Sequence, residues 1–252
     1  MHVVHGIDEI LPQLGPVFVV VGVFDGMHLG HAYLLEHLVS ESETRDARPT
    51  VITFDHHPDE VLRGTAPALL LDPEERLERL AAAGIAVTVV QPFDEALRQT
   101  HYDAFVERIR ARIGLRGFLM TPDAAFGFER RGTPTALAEL GSRDGFDVVV
   151  IPPFTVDGQD VRSSAIRASI VAGDLSAAAR LLGRPVTITG SIVGAVDGRG
   201  RLDFALPVAL PPDGDYAVHV GGTPLTLRIL QPAVYLLGGI SNRRVTVVLG
   251  AT

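Results

Sequence analysis

Residues 16–31 read Pro-Val-Phe-Val-Val-Val-Gly-Val-Phe-Asp-Gly-Met-His-Leu-Gly-His. The run Pro16–Phe24 is apolar at nearly every position. A half-solvated strand would alternate, so an unbroken run points to a parallel strand covered on both faces. The chain then turns through Asp25-Gly26, and a helix-length stretch opens at Gly30. A buried strand that feeds a helix through a Gly-containing turn is the repeating unit of a doubly wound α/β sheet.

The same alternation continues outward from this stretch. Further β-rich apolar runs fall at Thr50–Phe54, Ile85–Gln91, Gly117–Met120 and Asp147–Ile151. Helix-length stretches fall at Gly30–Ser42, Pro73–Ala83, Tyr102–Ile113 and Thr135–Ser142. Asp72 and Pro73 suit the N-cap and first position of a helix, and Gly84 suits its stop. Two short helices are expected at Ser164–Ala172 and Leu175–Leu182. After Gly183-Arg184-Pro185 the pattern changes to short β-like runs at Val186–Val193, Asp215–Val220, Leu225–Leu230, Val234–Leu237 and Val245–Leu249. Turn signals stand at Asp197-Gly198, Pro212-Asp213-Gly214 and Gly221-Gly222. The expectation is a Rossmann-like doubly wound domain over 1–185, then a small all-β, barrel-like domain over 186–252. Ligands should sit at the carboxyl ends of the parallel strands.

Composition narrows the chemistry. The chain has 252 residues, 46% hydrophobic and 21% charged, with a net charge of -8. An acidic surface argues against nucleic acid as a partner and leaves small molecules. There is no Cys, which removes disulfides, thiolate nucleophiles and Cys-ligated metal. There is also no Lys, so every fixed cation is Arg. A Walker A loop and a Schiff-base lysine are both excluded. No apolar run reaches membrane-spanning length, and Met1–His5 lacks a signal pattern, so a soluble cytoplasmic protein is the expectation. Nothing in the pattern specifies an oligomeric state.

Four stretches could carry chemistry. The first is Gly22–His31, at the strand–helix junction. His28 and His31 are three apart and straddle Gly30 beside a helix N-terminus, where free N–H groups favour an anion. Two imidazoles there suit the charge that builds on a transferring phosphoryl group. Zinc is disfavoured, since no third ligand accompanies the pair. The second is Val161–Arg167, where Ser163 or Ser164 can cap a helix and Arg167 lies one turn on, a second phosphate cradle. The third is Thr53–Pro58, at another strand end. The fourth is Thr121–Gly127, where Asp123 could meet a polar ligand edge and Phe126 could stack on a ring or simply fill the core.

On these residues the chain resembles the prokaryotic bifunctional riboflavin kinase/FAD synthetase family, from Phe18 to about Val220. Gly22–His31 matches that family's adenylyltransferase histidine motif. Thr53–Pro58 is similar to its Thr-Phe-Asp-Pro-His-Pro, with His56 for the first Pro. Val161–Arg167 is similar to its Ser-Ser-Thr-x-x-Arg, and Leu181–Pro185 to the segment leading into its kinase barrel. The resemblance implies AMP transfer from ATP to FMN, giving FAD and pyrophosphate, with Mg²⁺. It places His28, His31, Ser163, Ser164 and Arg167 on the ATP phosphates. It places Gly22, Val23, Phe24, Asp25 and Gly30 in the nucleotide site, and Asp55, His57, Asp123 and Phe126 near the flavin. Metal-binding side chains are not assigned.

The chain departs from the family in two places. Ala205-Leu206-Pro207-Val208 stands where the kinase barrel carries Pro-Thr-Ala-Asn, and the segment bearing the kinase's acidic base is not found after it. A barrel without riboflavin kinase activity is therefore expected. Thr121 and Ala124 replace a Gly and a Phe on the flavin side. That leaves two alternatives: nucleotidyl transfer to a non-flavin acceptor, and flavin or nucleotide binding without turnover.

Overall fold

The computed structural model describes residues 1–196, 199–238 and 244–250. In chain order the elements are β1 (His2–Val4), β2 (Val17–Val21), α1 (Leu29–Thr44), β3 (Arg48–Phe54), α2 (Pro58–Arg63), α3 (Pro73–Ala82), β4 (Val87–Gln91), α4 (Glu95–Arg98), α5 (Tyr102–Arg110), β5 (Leu115–Met120), α6 (Pro134–Asp144) and β6 (Asp147–Val150). They continue with β7 (Thr155–Val156), β8 (Gln159–Asp160), α7 (Ser163–Val171), α8 (Leu175–Leu182), β9 (Val186–Val196), β10 (Arg199–Asp203), β11 (Gly214–Val220), β12 (Thr223–Leu230), β13 (Ala233–Leu237) and β14 (Arg244–Leu249).

Contacts divide the chain into two units. The first holds Met1–Phe24, Gly30–Pro67 and Leu77–Phe154; the second holds Asp25–Leu29, Ala68–Arg76 and Thr155–Thr252. The first unit is a six-stranded sheet of order β1-β4-β3-β2-β5-β6, parallel throughout. The four residues Val17–Val20 of β2 are buried, as the unbroken apolar run requires. β2 is flanked by β3 on one side and β5 on the other, so the strand order reverses there. Such a switch point opens a crevice at the carboxyl ends of the two strands. The core below it includes Val19, Ile52, Val89, Phe118 and Leu137.

The second unit is built on a closed antiparallel barrel of order β10-β13-β12-β11-β14-β9. Its strands alternate, as in β10 and β14, where every second residue is buried. Leu202, Leu227, Ile229, Leu236 and Val247 fill the interior. Gly221 and Gly222, both at positive φ, make the two-residue turn between β11 and β12. The expected turn at Asp197-Gly198 lies outside the described residues. With the barrel cluster α7, α8 and the β7–β8 hairpin.

Candidate functional site

The turn after β2 is conformationally costly. Phe24 and Met27 both hold positive φ (54° and 41°), with Gly26 at 87° between them. A bulky residue at positive φ survives only where its surroundings hold it there. Phe24 is held by burial, at 2% exposure. Its ring folds back over Gly22, where a Cβ would meet Phe24 Cε2 at 3.0 Å, and it lies 5.0 Å from the His31 ring. Gly22 is therefore glycine because an aromatic ring occupies its side-chain space. Gly30 and His31 lie in the first turn of α1, and His28 immediately precedes the helix.

In the first unit a cavity of about 600 Å³ opens at the carboxyl ends of the strands. That volume suits a small ligand. Gly22 and Val23 of the histidine motif line it, together with Phe54, Phe93, Phe105, Phe126 and Phe128. Phe126 packs against Phe105 and Phe118 at 5.2 and 5.6 Å between ring centroids, so it is both core and wall. Arg98, Glu129 and Arg130 bring charge to the lining, and Glu129 and Arg130 are both at positive φ. Gly127 allows this loop to close, since a Cβ there would meet Tyr102 N at 2.6 Å.

Asp55, His57 and Asp123 are not among the residues that line this cavity. Asp55 Oδ1 accepts from the N–H groups of His56 and Phe93, joining the ends of β3 and β4. His57 is the N-cap of α2, its Nδ1 accepting from Asp59 N–H at 3.1 Å. Asp123 Oδ1 accepts from Thr121 Oγ1 at 2.9 Å.

The second unit holds a polar cluster centred on Asp25, whose residue is 3% exposed. Its carboxylate accepts from Leu70 N–H at 2.9 and 3.2 Å and pairs with Arg167 Nη2 at 2.9 Å. The backbone carbonyl of Asp25 accepts from Ser163 Oγ at 2.8 Å, and that of Gly26 accepts from Arg184 Nη2 at 2.8 Å. The expected serine cap is not observed: Arg162 is the N-cap of α7 and makes no side-chain cap. Ser163 sits inside the helix and spends its hydroxyl on the Asp25 carbonyl, a partner far away in sequence. Ser164 follows it and is exposed. His28 is 5% exposed. Burial, and then the nearby Arg184 charge, lower its pKa from 6.5 to about 4. It is a neutral imidazole near pH 7, a hydrogen-bonding group and not a cation.

Asp25, Ser163 and Arg167 stand in two separate stretches of the sequence, and the structure brings them into direct contact. Arg184 shows in the sequence only as part of a linker, and Leu70 contributes a backbone N–H that has no side-chain signature.

Residues 11–165 match the FAD synthetase family. That match covers more than half of the chain. The chain belongs to the FAD synthetase family. It is 30% identical over 195 residues to a bifunctional riboflavin kinase/FMN adenylyltransferase of Haemophilus influenzae, covering 77% of this chain and 63% of the relative. It is 30% identical over 234 residues to the Escherichia coli K12 protein of the same description, covering 88% of this chain and 74% of that one. This FAD synthetase family chain thus spans under two thirds of the Haemophilus relative. The crystal structure of a macrolide-efflux protein from Streptococcus pneumoniae matches with a TM-score of 0.82 and 20% identity, over 98% of this chain and 88% of that chain. At that identity the likeness concerns the fold. Among the described residues no helix is long and apolar enough to cross a membrane.

Proposed function

We propose that this chain transfers AMP from ATP to FMN, releasing FAD and pyrophosphate. A phosphate oxygen of FMN forms a bond to the α-phosphorus of ATP, while the bond from that phosphorus to the bridging oxygen of pyrophosphate breaks. No protein nucleophile is required, so catalysis consists of positioning and charge stabilisation. The observation that carries this reading is the aromatic cavity at the sheet's switch point, lined by Gly22 and Val23 of the histidine motif itself. Its five phenylalanine rings suit a planar, largely apolar acceptor such as an isoalloxazine.

His28 and His31 are assigned to the polyphosphate, with His28 donating as a neutral imidazole. Ser164 and Arg167, with the backbone N–H of Ser163, whose hydroxyl is given to the Asp25 carbonyl, are assigned to its β and γ phosphates. With no Lys in the chain, Arg and helix N-termini supply the fixed positive charge. Among the described residues no three His, Cys, Asp or Glu side chains converge as a metal cage. Mg²⁺ is read as entering with the nucleotide substrate, held mainly by phosphate oxygens and water.

The barrel is proposed to lack riboflavin kinase activity. Ala205–Val208 offers neither the hydroxyl nor the carboxamide that the Pro-Thr-Ala-Asn motif would supply. A chromatographic assay with ATP and Mg²⁺ tests both statements. FMN should yield FAD, and riboflavin should yield nothing. FAD absent from the FMN reaction, with pyrophosphate released on another phosphate acceptor, would instead favour the altered Thr121–Phe126 loop as the site of a changed specificity.

A further inference from the structure

The segment Ala68–Arg76 belongs to the barrel's unit although it lies far from the barrel in sequence. Leu69 forms a parallel bridge with Val208: its N–H donates to Pro207 O at 2.8 Å, and its carbonyl accepts from Ala209 N–H at 2.8 Å. Thr189 of β9 donates to Glu75 Oε2 at 3.0 Å, and Arg244 of β14 pairs with Asp72 and Glu74. One residue beyond the bridge, Leu70 N–H reaches the Asp25 carboxylate. One residue before it, Ala68 O accepts from Arg167 Nε at 2.7 Å. The segment is therefore a strap with the barrel on one side and the Asp25–Arg167 pair on the other. Its anchor on the barrel, around Pro207, is the stretch where this chain departs from the family's Pro-Thr-Ala-Asn.

A guanidinium fixed through Nε and one Nη2 hydrogen has its plane set, and the remaining N–H groups point in determined directions. Both fixing acceptors, Ala68 O and the Asp25 carboxylate, depend on the strap. We propose that the barrel is a positioning element for nucleotidyl transfer, aligning Arg167 through the Ala68–Arg76 strap and the Asp25 carboxylate. Leu69 and Asp25 are then positioning residues, acting through Arg167. The proposal rests on the reading of Arg167 as a polyphosphate ligand.

The test compares Leu69→Pro, which deletes the N–H given to Pro207, with Leu69→Ala, which keeps it. Leu69→Pro should lower kcat for FAD formation about 10- to 100-fold, the scale of a small misplacement of a binding group. The FMN dissociation constant should stay within about twofold of wild type, because the acceptor cavity belongs to the other unit. Leu69→Ala should behave as wild type. Amide hydrogen exchange in segments 25–29 and 162–168 should quicken about tenfold or more in Leu69→Pro. Wild-type kcat, or unchanged exchange in those segments, overturns the proposal. If the wild-type chain forms no FAD, the functional reading fails and the exchange measurement alone decides the strap's role. Should Leu69→Pro not fold, Thr189→Val combined with Arg244→Gln loosens the strap from β9 and β14, and the same two measurements decide.

Discussion

Arg167 Nη2 lies 2.9 Å from Asp25 Oδ2, and the Asp25 side chain is only 4% exposed. A carboxylate so placed relies on its protein partners, since little water reaches it. Among the described residues, Arg167→Ala leaves it the Leu70 N–H. The expected cost is about 3 kcal/mol, that of breaking one side of a buried pair. Urea unfolding monitored by circular dichroism measures it, and a loss below 1 kcal/mol would show the pair to be dispensable to the fold.

The lowered pKa of His28 predicts a stability slope. The unfolded chain binds a proton on this imidazole near pH 6.5, and the folded chain only near pH 4. Between those values the unfolded state holds more protons, so stability rises with pH. The contribution is complete above pH 6.5, declines as the pH falls toward 4, and amounts to roughly 3 kcal/mol across the window. His28→Asn should flatten this slope in denaturation experiments at pH 4.5 and 7. An unchanged slope would mean that His28 titrates normally.

His28→Ala and His31→Ala should each lower kcat for FAD formation by roughly 10²–10³, the usual scale for removing one preorganised donor to developing charge. Steady-state kinetics with ATP and FMN reads this directly. Wild-type turnover in both variants would remove the histidine motif from the mechanism.

Gly127→Ala attacks the proposed acceptor cavity through the backbone. The residue holds φ 76°, and an added Cβ would meet Tyr102 N at 2.6 Å. Relief requires moving the loop that carries Phe126 and Phe128. A loss of about 2 kcal/mol and weaker FMN binding are expected, with ATP affinity less affected. Calorimetry with each ligand separates the two.

The parallel sheet was legible because β2 to β6 each announce themselves by a short apolar run. β1 did not, since three residues beginning with an exposed His make no pattern and gain strand character only by pairing with β4. Helices α2 and α4 were missed for their length, though His57-Pro58 and Asp94 carry the capping chemistry that starts them. β10 is absent from the β-like runs of the sequence because its exposed positions are charged; its alternation is plain once Gly200 and Leu202 are seen to be buried. In the site, the histidine stretch and Arg167 were visible as residue types at telling spacings. The destination of the Ser163 hydroxyl was not, because nothing local distinguishes a cap from a bond to the Asp25 carbonyl. The phenylalanines at 54, 93, 105 and 128 also look the same in sequence whether they fill a core or wall a cavity.

The closed ring of six strands has a further consequence for how this chain meets other macromolecules. With each barrel strand hydrogen-bonded to a neighbour on both sides, most of the barrel's described backbone is already paired against an incoming extended peptide, the seam between β11 and β14 at Val218–Leu249 and His219–Val248 being its thinnest join. A peptide that docks by extending a sheet finds a template at the borders of the open sheets, β1 and β6 of the parallel sheet and the β7–β8 hairpin, while recognition of the barrel leans on side chains.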